Sequence, residues 1–296
     1  MKLIVELTSK SLIKKYLKLS NVKYLLVSYI GLSFNSFVKF TTSELKEIYD
    51  CVKNTNLSLI LNCEKLFSDK ELDEVKELIN SRFFDMFEYV TYSDFGFKNL
   101  LEEEKVNVKF IFKAQTYLAN HYDVNMYNEL NDYCVASSEI SSKELIELTN
   151  NVSKNIIIDL FGKSAIFYSR RKLLTNYFIH RNISNDASKL KYHVVEELRN
   201  DNLPIVENEI GSLILEPKYH MIDKELEKMN NVDYGMIFLA DMKQKEALEV
   251  VSAYNKFIDD LNVETLLESF DNCNIPYYKG AYNIQSVLLK GGCSNE

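Results

Sequence analysis

Polar and ionisable side chains recur in this sequence directly after short apolar runs. Reading each run to its C-terminal end gives Glu6, Tyr29, Asn62 with Glu64, Asp94, Lys113 with Gln115, Glu139, Asp159 and Asp241. Carboxylates, amides and an ammonium gathered at one mouth would bind a polar small molecule, a cation or both. A second group, Arg170-Arg171-Lys172, concentrates cations in one place and has the chemistry to hold a carboxylate or phosphate. Both groups also have ordinary explanations: strand ends meet polar loops, and charge clusters usually face solvent.

Elements must place these residues, and the sequence alternates two periodicities. Apolar or β-branched runs at 3–7, 23–29, 57–62, 86–92, 108–112, 133–137, 155–160 and 233–239 read as strands. Helical patterns follow them at 9–19, 41–54, 68–79, 97–104, 120–130, 141–149, 168–178 and 243–261. Thr42 or Ser43 reads as an N-cap, and Ser68…Glu71 and Ser141…Glu144 read as capping boxes. The rhythm breaks after Ile179, where 192–197 and 203–215 read as strands and Asn208…Gly211 as a hairpin turn. Eight such units predict a TIM-like (β/α)8 barrel over 1–290, with a small β-rich insertion at about 180–219 and a loose tail at 291–296. An open doubly wound sheet is the alternative, weakened by the missing G-x-G-x-x-G.

Composition narrows the classes. The chain has 296 residues, 35 Lys and Arg, 43 Asp and Glu, and a formal charge of −8. It therefore lacks the broad basic surface of a stand-alone nucleic-acid binder. Eight Gly and three Pro exclude collagen-like or low-complexity architecture. The five cysteines, Cys51, Cys63, Cys134, Cys273 and Cys293, form no C-x-x-C pair, which argues against a disulfide framework or a zinc ribbon. Glu6 interrupts the first apolar run, and no stretch of 18 apolar residues occurs, so a cytoplasmic protein without membrane spans is expected.

Several motifs fail on their own chemistry. Phe161-Gly-Lys-Ser164 follows a strand as a P-loop would, but the required upstream Gly falls at Ile157. His121, His180, His193 and His220 form no H-E-x-x-H, and no G-x-S-x-G elbow occurs. Cys63, just past a strand end, is the cysteine expected nearest a site, and no Cys/His pair assembles.

The sequence resembles the peptidase U32 family, the collagenase-like peptidases. Val90-Thr-Tyr-Ser-Asp-Phe-Gly96 is similar to a family strand ending in Asp-x-Gly, and Lys113-Ala-Gln-Thr-Tyr-Leu-Ala-Asn120 to its Gln…Asn block. Val135-Ala-Ser-Ser-Glu-Ile-Ser141, Phe161-Gly…Tyr168-Ser-Arg-Arg-Lys-Leu-Leu-Thr-Asn-Tyr177 and Tyr192…Pro204-Ile-Val-Glu-Asn-Glu-Ile-Gly211 continue the likeness in order. The resemblance implies a barrel-like protein that is either a protease or part of oxygen-independent hydroxylation. The hydroxylated substrates it implies are the tRNA wobble uridine, with prephenate, a 23S rRNA cytidine, or a ubiquinone precursor. It also implies an iron–sulfur cluster held by four cysteines around the Tyr-Ser-x-Arg block. This chain departs there: no Cys lies between Cys134 and Cys273, and Ser164 and Lys172 stand where cysteines are expected. Ser and Lys cannot replace thiolate ligands, so no cluster is expected.

The expected function is a contribution to prephenate-dependent tRNA wobble-uridine hydroxylation beside a longer paralogue, with tRNA bound through the complex. The alternatives are a peptidase and a non-catalytic scaffold subunit that lost the iron–sulfur site. Glu139 and Asp94 take the catalytic places in this reading. Gln115, Asn120, Arg170, Arg171, Asn176 and Glu209 are the expected substrate contacts, with the two arginines on an anion. No metal site is expected. Helix capping is the competing role for Asn120 and Asn176, and a solvated hairpin turn for Glu209.

Overall fold

The computed structural model describes residues 1–34, 36–114, 118–187, 192–195, 197, 201–239 and 241–278. Gln115 and the expected tail at 291–296 lie outside the described residues. The chain is a mixed α/β protein with a parallel sheet and helices. Its strands begin with β1 (Lys2–Glu6), β2 (Val22–Ser28), β3 (Ser58–Cys63), β4 (Tyr89–Tyr92), β5 (Lys109–Phe112), β6 (Tyr133–Cys134) and β7 (Ile156–Gly162). They continue with β8 (Ala165–Ser169), β9 (Tyr192–Val194), β10 (Leu203–Glu207), β11 (Ser212–Leu215), β12 (Tyr219–Met221), β13 (Val232–Ile237) and β14 (Tyr277–Tyr278). The helices are α1 (Ile13–Tyr16), α2 (Thr42–Val52), α3 (Asp69–Asn80), α4 (Phe95–Glu103), α5 (His121–Asn128), α6 (Ser142–Asn151), α7 (Leu173–His180), α8 (Gln244–Asp260) and α9 (Val263–Asn272).

The large sheet runs β14-β12-β7-β13-β1-β2-β3-β4-β5-β6. From β7 through β6 every neighbouring pair is parallel, and apart from the step from β13 back to β1 the order follows the chain in one direction. It therefore lacks the reversal point that defines a doubly wound sheet. Past the end of β6, Val135 forms a parallel bridge with Ile157 of β7, and the Ala136 amide donates to the Ile157 carbonyl at 3.0 Å.

Strand alternation explains both faces. Leu3, Val5, Leu25, Val27, Leu59, Leu61, Ile156 and Ile158 pack against the apolar sides of the helices in the main core. Ile4, Leu26, Ile60, Tyr89, Ile111, Ile157 and Met236, with Val135 just past β6, belong to a second cluster on the opposite face. Beside them four tyrosines from alternate strands, Tyr24, Tyr89, Tyr133 and Tyr234, form a closed circuit of ring contacts with centroids 5.3–6.0 Å apart. Edge-on aromatic pairs of this kind add about 0.5–1.5 kcal/mol each beyond area burial.

Capping boxes start three of the helices: Thr41 with Glu44 on α2, Ser68 with Glu71 on α3 and Ser141 with Glu144 on α6. The first box sits one residue before the expected Thr42, because Glu44 is the acid that reaches back to the Thr41 amide. The expected helix at 168–178 is corrected: Ala165–Ser169 is a strand, and the helix starts at Leu173. The β-rich excursion correspondingly opens at Ala165 and forms a small antiparallel sheet ordered β8-β11-β10-β9. The turn at Asn208…Gly211 is a hairpin, as its residues suggest, with Ile205 opposite Ile214. Among the described residues no helix is long and apolar enough to cross a membrane.

Candidate functional site

Period-two alternation carries the inner apolar face of the sheet directly into a charged layer. Two residues beyond inward Ile4, Ile111 and Ile157 stand Glu6, Lys113 and Asp159, and beyond Ile60 stand Asn62 and then Glu64. Glu6, Glu64 and Lys113 lie at or just past the C-terminal ends of β1, β3 and β5, Asp159 lies within β7, and with Glu139, Lys163, His220 and Phe238 these four line one pocket. Glu6, Asn62, Glu64 and Lys113 are buried.

The pocket is organised around one ammonium. Lys113 donates to Oδ2 of Asp159 at 2.9 Å and stands over the Phe238 ring, 4.7 Å from its centroid. Burial pulls the Lys113 pKa down, but the Asp159 and Glu64 carboxylates together outweigh it and leave the ammonium favoured. The other oxygen of Asp159, Oδ1, is buried and takes no hydrogen bond among the described residues. Glu6 is held from two sides, by the Ser36 hydroxyl at 3.0 Å and the Leu239 amide at 2.8 Å. Thr91 of β4 donates toward Asn62 at 3.3 Å and Glu64 at 3.5 Å. At the rim, Lys163 pairs with Asp241 at 3.2 Å. Four carboxylates therefore face two ammonium groups and a histidine, so the pocket is net acidic and favours cations or neutral hydrogen-bonding groups over multiply charged anions.

The family model for peptidase family U32 matches residues 28–283. The chain belongs to peptidase family U32. This U32 chain is 28% identical over 166 residues to tRNA hydroxylation protein P2 of Bacillus subtilis (strain 168), covering 53% of either chain. It thus spans about half the length of that curated relative. The structure of the U32 peptidase Mk0906 is similar at 12% identity and a TM-score of 0.49, over 82% of this chain and 95% of that one.

Among the described residues the cysteines do not gather as the ligands of the iron–sulfur cluster that the resemblance implies would. Cys51 is exposed on α2, Cys63 ends β3, Cys134 lies in β6 and Cys273 follows α9. Among the described residues no three His, Cys, Asp or Glu side chains gather as a metal site requires.

The structure distributes the other expected site residues as follows. Glu139 lines the pocket. Asp94 lies at the end of β4 but is occupied as the N-cap of α4, accepting from the Phe97 amide at 3.0 Å and from the Phe67 amide at 3.0 Å. Asn120 caps α5 through the Asp123 amide at 3.0 Å. Arg170 does not face a free anion site: it donates to Glu71 at 2.8 Å, and Glu71 also receives Lys65 at 2.7 Å. Arg171 is exposed in the bend between β8 and α7, and Asn176 is exposed on α7. Glu209 pairs with Lys39 at 2.6 Å in the hairpin turn. Gln115 lies outside the described residues.

Three residues beyond the expected catalytic and substrate-contact set stand out in the structure. Lys113 and Asp159 form the central pair, and the sequence signal is Ile followed two residues later by a charge. Glu207 is buried and accepts from the Leu174 amide at 2.8 Å, the Ser212 hydroxyl at 3.0 Å and the Thr175 hydroxyl, so it anchors the start of α7.

Proposed function

We propose that this chain contributes to tRNA hydroxylation beside a longer U32 paralogue, and that its pocket receives an uncharged polar edge of the substrate. The 28% identity to tRNA hydroxylation protein P2 is the observation that carries the reading. The eight parallel strands act in it as a closed (β/α)8-type barrel; the bridge from Val135 to Ile157 and the tyrosine circuit support that closure. Barrels of this type work at the C-terminal strand ends, where the Lys113 pocket lies.

The pocket chemistry suits an imide edge such as that of uracil. Lys113 supplies a donor for a ring carbonyl, and Asp159 Oδ1 supplies an acceptor for a ring N–H. Prephenate carries two carboxylates, which the acidic lining repels, so this reading places the hydroxyl source with the longer paralogue. In the proposed complex the protein acts in the cytoplasm on tRNA.

Gene deletion followed by mass spectrometry of total tRNA nucleosides tests the proposal. The expected result is a loss of 5-hydroxyuridine-derived nucleosides that the wild-type chain restores and Lys113→Met does not. An unchanged profile even when the paralogue is also deleted would overturn it. Gelatin cleavage by the purified chain, abolished in the Lys113→Met form, would replace it with the peptidase reading.

A further inference from the structure

The acidic charge of this protein is unevenly distributed. Residues 163–185 hold five Lys and Arg and no Asp or Glu, in a chain of formal charge −8. Two of these cations have acidic partners: Lys163 with Asp241, and Arg170 with Glu71. Arg171, Lys172 and Arg181 are exposed and have no ion pair among the described residues. Asp186, Glu207 and Glu209 line a surface pocket with Lys172. Glu209 is taken by Lys39, Glu71 by Lys65 and Arg170, and Glu207 is buried against α7.

Aromatic surface lies among the free cations. Tyr177 is 52% exposed on α7, four residues before Arg181 and hence on the same helical face, and Phe167 is 45% exposed on β8. Exposed aromatic rings between Lys and Arg are the composition that binds unpaired nucleotides, with cations on phosphates and rings under bases. The start of α7 is closed to phosphate by Glu207, so side chains rather than helix-end amides must make these contacts.

Position links this face to the pocket. Lys163, Ser164 and Ala165 line the pocket rim, and β8 runs from there to Arg170. Five strand residues span about 17 Å at roughly 3.3 Å each. That is the length of about five stacked nucleotide steps.

We propose that the β8–α7 face, through Arg171, Lys172, Arg181 and Tyr177, docks the phosphate backbone of an RNA loop next to the pocket. The proposal rests on the tRNA reading above, to which it adds the surface that holds the RNA. It commits to unpaired RNA because the face is short and exposed rings stand among its cations.

Fluorescence anisotropy with bulk tRNA and the full chain tests it, over a salt series. The wild type should bind in about the micromolar to hundred-micromolar range at physiological salt. The Arg171→Ala/Lys172→Ala/Arg181→Ala variant should bind at least about tenfold more weakly, and its log K against log salt slope should be shallower by about 2. A control with equal charge loss, Lys14→Ala/Lys15→Ala/Lys46→Ala, should bind as the wild type does. Absence of tRNA binding by the wild type, unchanged binding by the first variant, or equal loss in both variants would overturn the proposal. Failure here leaves the deletion phenotype intact as evidence for the function. Binding through this face with an unchanged nucleoside profile would instead remove the hydroxylation reading and keep the surface.

Discussion

Nζ of Lys113 lies 2.9 Å from Oδ2 of Asp159, joining the end of β5 to the middle of β7 across the pocket. Both side chains are largely withdrawn from solvent, at 8% and 16% exposure. Removing one member of a buried pair leaves the other charge without compensation. Lys113→Met would leave Asp159 near Glu64 with no cation between them. The expected loss at pH 7 is about 3 kcal/mol, read as a lower urea midpoint. An unchanged midpoint would show that the pair is not the centre of this site.

Glu71 sets a second prediction, in acid. Burial acts to raise its carboxyl, but hydrogen bonds from Lys65 and Ser68 outweigh that and hold it at about 2, against the ordinary 4.5. A carboxyl depressed in the folded state stabilises above its unfolded pKa, and the stabilisation is lost as pH falls through the folded value. Glu71→Gln should therefore cost about 1–2 kcal/mol at pH 7, after allowance for partial solvent screening. The gap from the wild type should narrow between pH 4.5 and 2. A gap constant over that window in urea titrations would refute the assignment.

Glu207 joins the hairpin to α7, and its removal should act locally. Glu207→Ala leaves the Leu174 and Thr175 amides without their acceptor, at about 1–3 kcal/mol for buried donors. Hydrogen exchange should accelerate at these two amides while β1 to β5 keep their protection. Uniform acceleration across the whole chain would contradict the local role.

The thiols give a fourth prediction. Burial, aided by Glu64, pushes the Cys63 thiol well above its usual pKa, and burial pushes Cys134 up to about 12. Cys51 is exposed. Alkylation at pH 8 followed by peptide mass spectrometry should label Cys51 in the native protein and reach Cys63 and Cys134 only after denaturant. Rapid native labelling of Cys63 would mean that the end of β3 opens to solvent.

Much of this architecture is legible in the sequence for definable reasons. Strands such as β3 and β7 are buried on both faces, so they read as unbroken apolar runs. The Ser68…Glu71 and Ser141…Glu144 boxes announce their helices by spacing alone. β8 escaped because it is half exposed and its Tyr-Ser-Arg-Arg end mimics a helix start. In the site, the acids Glu6, Glu64 and Asp159 are visible by alternation, whereas the pairing of Asp159 with Lys113 joins residues far apart in the chain. Asp94 and Asn120 were open to a second reading, since each stands three residues before the amide it caps. The partner of Arg170 was not legible, because Glu71 is 99 residues away.

β7 ends at Gly162, and β12 returns antiparallel beside it, with His220 opposite Gly162 and Met221 opposite Phe161. Everything from 163 to 218 therefore departs and re-enters at a single rung of the ladder. Such a junction lets evolution exchange the intervening stretch between relatives as a module, because its two ends are already side by side. New recognition surfaces can be acquired there while the register of the parallel strands, and the charged layer they present, stays inherited unchanged.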